Sequence, residues 1–319
     1  MELKALGRSG LKVSQLCFGG NVFGWTIDEK RSFELLDAFA ATGFNFIDTA
    51  DVYSRGVPGS HGGDSEIIIG NWMKSRANRA QIVIATKVGL EMRGRKGLSK
   101  THIRASVEGS LRRLQTDYID LYQSHVADPE TSIEETLSTF GELIAVGKVR
   151  AIGASNYTGA QLSAALAASW RLGLPRYESL QTEYNLYTAA PYQHGLEGLC
   201  CAYGIGVIPY SALAGGFLTG KYRREKDFEK SPRGTNAKRY LNHRGLRIIA
   251  ALDAVAAEIE STPAQVSLAW LLARPSITAP IVSATSRQQL DEIMRAVSLT
   301  LSENTIRVLN DATADGSET

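Results

Sequence analysis

Short apolar runs alternate along this chain with longer segments whose apolar positions recur every three or four residues. Leu16-Cys17-Phe18-Gly19 is short and apolar, and residues 29–42 then carry Phe33, Leu35, Leu36, Phe39 and Ala40 at helical spacing. The same alternation predicts strands at 44–48, 81–86, 118–123, 148–153, 179–181, 205–209 and 277–283. Helices are predicted over 64–75, 100–115, 132–146, 158–170, 191–203, 244–260, 263–273 and 286–297, with a long polar loop after residue 209. Strand–helix alternation implies a parallel sheet with helices outside it. Eight such units in about 280 residues fit a closed (β/α)8, or TIM, barrel. An open doubly-wound sheet would carry G-x-G-x-x-G after its first strand, whereas this chain reads Gly19-Gly20-Asn21-Val22-Phe23-Gly24. Ahead of the first strand, Leu3 to Val13 reads as a hairpin turning at Arg8-Ser9-Gly10, placed to plug the barrel bottom.

The chain has 319 residues, enough for two average domains at about 150 each, but one barrel takes about 250. We expect a single domain over 1–319 with a polar tail from about residue 312. A 44% hydrophobic, 21% charged composition excludes disordered and coiled-coil classes. A net charge of +2 argues against nucleic-acid and membrane-surface partners. The N-terminal stretch lacks the 7–15-residue apolar core of a signal peptide. The three cysteines, Cys17, Cys200 and Cys201, form neither a disulfide framework nor a zinc spacing. These features predict a cytoplasmic protein; its oligomeric state is left open.

In a barrel of this kind the chemistry sits where the strands end. The predicted strands close on Asp48, Lys87, His125, Ser155-Asn156, Gln181, Tyr210-Ser211 and Ser283-Ala284-Thr285, and Tyr53 follows Asp48 by five residues. A polar residue closing a strand is more often a cap than a catalyst, but a full set on successive strands is harder to explain that way. Lys87 and Asp48 would pair, because one buried charge alone is costly. An ammonium beside Tyr53 would lower the phenol's pKa from about 10 towards neutrality and make it a usable general acid. His125 would orient a carbonyl oxygen. With no nucleophile–base pair and no G-x-S-x-G, this set points to proton donation coupled to hydride from a cofactor. No metal is called for.

The segment Asn45-Phe46-Ile47-Asp48-Thr49-Ala50-Asp51-Val52-Tyr53 resembles the signature of the aldo-keto reductase superfamily. So do Ala85-Thr86-Lys87-Val88-Gly89, Gln123-Ser124-His125, Gly153-Ala154-Ser155-Asn156, Gln181-Thr182-Glu183-Tyr184-Asn185 and the run Pro209 to Tyr222. The resemblance spans roughly residues 3 to 298 and looks most like bacterial members. It implies an NADP(H)-dependent reductase of aldehydes or ketones, reversible to alcohol oxidation, with NAD(H) the less common carrier. Tyr53 would be the proton donor, tuned by Lys87 and Asp48, with His125 on the carbonyl. Ser155, Asn156 and Gln181 would hold the carboxamide and Tyr210 would stack on the nicotinamide. Gly20, Asn21, Ser211, Leu213, Gly216 and Lys221 would line the phosphate and ribose path, with Arg233 from the long loop. Thr285, Arg287, Gln289 and Glu292 would hold the adenosine end. The pair Glu292-Ile293 departs from the family's Glu-Asn, and Ser283 to Arg287 leaves Arg287 as the main candidate for a 2′-phosphate.

Two other functions fit parts of the pattern: a nicotinamide-sensing regulatory subunit like the channel-associated relatives, and a lyase using Lys87 as a Schiff-base nucleophile. The run Gly215 to Lys221 spells G-x-x-x-x-G-K, but Tyr222 stands where a phosphate-binding loop needs Ser or Thr. His102, His194 and His243 lack ligand spacing. Trp25 and His61 are assigned to the substrate pocket. The substrate's identity lies in loops that periodicity does not describe.

Overall fold

The computed structural model describes residues 2–92, 94–231 and 234–314, with the backbone only at 230. Strands β1 (Lys4–Ala5) and β2 (Lys12–Val13) form the expected antiparallel hairpin. Eight parallel strands follow: β3 (Cys17–Gly19), β4 (Phe46–Asp48), β5 (Val83–Val88), β6 (Ile119–Ser124), β7 (Val149–Ser155), β8 (Ser179–Gln181), β9 (Gly206–Val207) and β10 (Ile281–Val282). Their order is β10-β3-β4-β5-β6-β7-β8-β9. Beyond β9, Ile281 N donates to Pro209 O at 2.8 Å and Val207 bridges Ile277, which closes the sheet into a (β/α)8 barrel.

The helices are α1 (Glu29–Ala41), α2 (Asp64–Arg76), α3 (Lys100–Leu114), α4 (Ile133–Ala145), α5 (Gly159–Leu172), α6 (Ala190–Gly195), α7 (Glu197–Tyr203), α8 (Gly234–Ala237), α9 (His243–Glu258), α10 (Pro263–Leu272), α11 (Arg287–Arg295) and α12 (Glu303–Thr313). Most start on a side chain that accepts an otherwise unpaired backbone N–H: Asp28, Ser99, Ser132, Thr158, Thr262, Ser286 and Ser302. Each barrel helix turns an apolar stripe inward against the sheet, forming one continuous outer core.

A second core fills the barrel itself. Leu6, Leu11 and Val13 of the hairpin pack with Cys17, Phe46, Val83, Ala85, Leu121, Ala151, Ile208 and Ala279, so the hairpin plugs the bottom as expected. Gly7 is required there: a Cβ would meet Glu178 O at 2.2 Å.

Two expectations need correction. The helix predicted over 191–203 is two helices, because Leu196 leaves helical geometry (φ −128°) as it turns inward. The strand predicted over 277–283 pairs regularly only at Ile281–Val282, since Pro280 has no N–H to donate. At the C-terminal end α12 runs to Thr313, and the guanidiniums of Arg244 and Arg247 hold the carbonyls of Thr313 and Ala312. No helix of the described residues is long and apolar enough to cross a membrane.

Candidate active site

Parallel register brings the strand ends into one ring. Gly19 lies beside Asp48 across β3–β4, Lys87 beside Gln123 across β5–β6, and Ser155 beside Gln181 across β7–β8. At the centre, Lys87 Nζ donates to Asp48 Oδ2 at 2.6 Å, to Thr49 O at 2.8 Å and to Tyr53 Oη at 3.0 Å. Its three N–H donors are thereby all engaged. Tyr53 Oη in turn donates to Asp48 Oδ2 at 3.4 Å. Asp48 Oδ1 accepts from Gln181 Nε2 at 2.9 Å and from Gln123 Nε2 at 3.3 Å. The ion pair is therefore removed from water yet saturated with hydrogen bonds, the condition under which a buried pair is tolerated. Gln123 was named only within a sequence motif; its part in caging the carboxylate depends on the register of β6 with β5.

Three groups of this centre have shifted ionisation. Burial pushes the Tyr53 phenol up, Lys87 pulls it down and Asp48 pushes it up again, for a net rise from 10.0 to about 12. The ammonium's pull on the phenol is opposed by burial and by Asp48 Oδ2, which lies 3.4 Å from Oη against 3.0 Å for Lys87 Nζ. Burial works against the charge on Lys87, but Asp48 and Tyr53 outweigh it and hold the ammonium protonated. Burial, then Lys87 and Arg55, lower the His125 imidazole to about 2, so it is neutral. Its ring meets Tyr53 edge-on, with centroids 6.3 Å apart, and its Nδ1 is buried without a hydrogen-bond partner among the described residues.

A cavity of about 670 Å3 extends from Tyr53 and His125 to Thr285, Gln289 and Glu292. Asn156, held at φ 58°, ties its near wall together: Nδ2 donates to His125 O and Ser155 Oγ, both at 3.0 Å, and Oδ1 accepts from Tyr210 Oη at 2.8 Å. Farther along, Gly215 (φ 65°) and Gly216 (φ 92°) turn the backbone sharply beside Lys221. A Cβ at 216 would come within 3.1 Å of Lys221 Nζ.

The family model described as the Aldo/keto reductase family matches residues 15–313. The chain belongs to that family. It is 38% identical to the uncharacterized oxidoreductase YrpG of Bacillus subtilis, over 98% of this chain and 95% of that one. It is 35% identical to a probable voltage-gated potassium channel subunit beta of Oryza sativa, over 93% and 91%. Identity to the norsolorinic acid reductase of Aspergillus flavus is 30%, over 95% and 79%.

Of the residues that aldo-keto reductase resemblance singles out, Asp48, Tyr53, His125, Ser155, Asn156, Gln181, Tyr210, Ser211, Leu213, Gly216, Lys221, Asn21, Thr285, Gln289 and Glu292 line this cavity. Lys87 lies just behind Tyr53. Gly20 also lies behind the wall, where a Cβ would meet Ser65 Oγ at 2.8 Å. Gln181 spends its amide N–H on Asp48 and on Gln123 Oε1 rather than offering it to the cavity. Arg287 is not in the wall: its Nε is bonded to Asp291 Oδ1 at 2.8 Å, one helical turn on. Arg233 lies outside the described residues. Trp25 and His61 do not reach the cavity. The N–H groups of Trp25, Thr26 and Ile27 all donate to Val22 O, and this tight turn puts Thr26 in the wall while Trp25 is 46% exposed. His61 is exposed in the loop that Gly62 and Gly63 turn with positive φ. Sequence reasoning missed Thr26, Thr219 and Ser231 as lining residues, which only loop conformation brings in. Ser283 was visible as a strand end, and its hydroxyl donates to Gly19 O at 2.9 Å and Asn21 Oδ1 at 2.7 Å, pinning β10 to β3.

Proposed function

We propose that this aldo-keto reductase reduces aldehydes or ketones to alcohols with NADP(H), Tyr53 being the proton donor. The observation that carries the reading is Lys87 Nζ, buried and bonded to both Asp48 and Tyr53 Oη beneath an open cavity. The cavity fits a dinucleotide in three respects. It has the volume of a small-molecule site, about 300–1,000 Å3. An aromatic and amide wall at Tyr210, Asn156 and Ser155 stands at the catalytic end. Beside Lys221, Gly215 and Gly216 leave the backbone bare for a diphosphate. A reduced nicotinamide, when bound, supplies hydride.

The chain's residues do the rest. Tyr53, held neutral, keeps a proton at Oη for the oxygen of the carbonyl as alkoxide character develops. Lys87, held charged at 3.0 Å, stabilises the phenolate left behind. Asp48 fixes the ammonium's position and is itself fixed by Gln181 and Gln123. The neutral imidazole of His125 hydrogen-bonds the carbonyl oxygen and adds no competing charge. The preference for NADP(H) over NAD(H) rests on Arg287, whose exposed pair with Asp291 is worth at most about 1 kcal/mol and exchanges readily for a phosphate. Carbonyl-dependent loss of absorbance from NADPH and from NADH tests both activity and preference. Tyr53→Phe should reduce turnover by about 10²–10⁴-fold while leaving cofactor affinity intact; full turnover in that variant would remove the phenol from its role.

Likeness to plant channel β subunits favours a second reading, a nicotinamide-binding regulatory subunit with little turnover. Cofactor binding without oxidation across a broad carbonyl panel would decide for it. The Schiff-base alternative fits poorly, because Lys87 is protonated, fully buried and has no free donor or lone pair.

A further inference from the structure

A second cavity, of about 420 Å3, opens on the far side of the turn that carries Tyr53 and shares no lining residue with the first. One wall is a stripe of α3 in which His102, Ser106, Gly109 and Arg113 recur at helical spacing, with Arg112 beside them. Gly109 keeps the space open: a Cβ there would press to 3.0 Å from Arg113 Nη1. Opposite it stand Met92 and Arg95, which exchange backbone hydrogen bonds of 2.8 and 3.1 Å.

Asp51 lies at the floor. It is 1% exposed, and neither carboxyl oxygen has a hydrogen-bond partner among the described residues. Native proteins rarely leave such oxygens unsatisfied. The charges facing it are Glu66, Arg113 and Lys87, and two of these are already committed: Arg113 Nε bonds Glu66 Oε2 at 2.6 Å and Lys87 bonds Asp48. Arg95 and Arg112 have no ion-pair partner among the described residues. The cavity thus joins two exposed guanidiniums without an ion-pair partner to a buried carboxyl without a hydrogen-bond partner, among the described residues. A phosphoryl group answers both needs. Its charged oxygens suit guanidinium forks, and with a second ionisation near pH 6 it still shares a proton in neutral solution. Sulfate and carboxylates have none to share. The volume exceeds that of a bare ion and favours a small phosphomonoester.

We propose that this second cavity binds a phosphoryl group, its charged oxygens against Arg95 and Arg112 and one O–H···O hydrogen bond joining it to Asp51. NMR spectra of the full chain test this, following the His102 imidazole and the Arg95 and Ser106 amides during titration with inorganic phosphate and, separately, glycerol 1-phosphate. Signals at Gly216 and Lys221 report any binding in the first cavity independently. Saturable local shifts are expected, with affinity at least about tenfold weaker in Arg95→Gln/Arg112→Gln and, at about pH 8 where Asp51 is ionised and has no proton of its own to give, about tenfold weaker again for sulfate with the native chain. Tighter binding of glycerol 1-phosphate assigns the site to a monoester, and tighter binding of phosphate to the free ion; either supports the site. Three outcomes overturn it: no saturable local shift with either compound, undiminished affinity in a double variant that melts like the native chain, or sulfate binding as tightly as phosphate at that pH.

Discussion

Replacing Lys87 by methionine removes one partner of an ion pair whose side chains are 0% and 1% exposed. Asp48 then keeps only neutral donors (Gln181, Gln123 and Tyr53), and Thr49 O loses its 2.8 Å donor. An uncompensated buried charge costs about 3–5 kcal/mol, where an exposed pair would cost at most about 1 kcal/mol. Asp48→Asn strands the ammonium in the same way. The double variant Lys87→Met/Asp48→Asn has no buried charge left, so its cost should fall short of the sum of the singles by about 2 kcal/mol or more. Urea denaturation of the four proteins in neutral solution, at low and high salt, measures this cycle, and salt should change little because a dry pair is poorly screened. The double variant should fold without reducing carbonyls. A single-variant cost below about 1 kcal/mol, or costs additive to within about 0.5 kcal/mol, would refute the buried-pair reasoning.

Other consequences follow from the same contacts. The His125 imidazole should show no NMR titration between about pH 8 and 5. Its folded pKa, about 2, lies below the unfolded 6.5, so its contribution to stability is present above 6.5 and lost as pH falls; His125→Gln should flatten that acid limb in a thermal-melting series. Burial first, then Glu66, raise Asp51 from 3.8 to about 7. Its contribution is therefore present at low pH and lost as pH rises through about 7, and Asp51→Asn should stabilise the protein by up to about 4 kcal/mol above that pH. A variant no more stable at alkaline than at acid pH, relative to the native chain, would contradict this. Arg287→Ala should weaken NADPH binding by about tenfold and NADH binding little, as read by fluorescence titration; equal losses would remove Arg287 from the choice of cofactor.

Much of the architecture was legible because the physics that sets it is local. Period-two and period-3.6 patterns located the barrel strands and most helices to within a few residues, and caps such as Asp28, Ser99 and Ser132 mark helix starts in the chain itself. The failures have a different cause. Leu196 breaks a helix and Pro280 shortens a strand because of what each packs against or cannot donate to. The loops that decide whether Trp25, Thr26 or His61 meets the cavity have no periodicity to read.

For the site, the amino-acid sequence by itself determined which groups stand at the strand ends, since alternation along a β-strand and parallel order place Asp48, Lys87, His125, Ser155 and Gln181 on one rim. The tertiary structure alone decided their electrostatic state. Whether an ammonium acidifies a phenol depends on how near its counter-ion stands and how much water remains, and no spacing encodes either. The same holds for Asp51, an ordinary residue of a motif in the chain. Only the fold leaves it buried, unpartnered and facing a second cavity, because the residues around it come from α3 and from a loop some forty positions away.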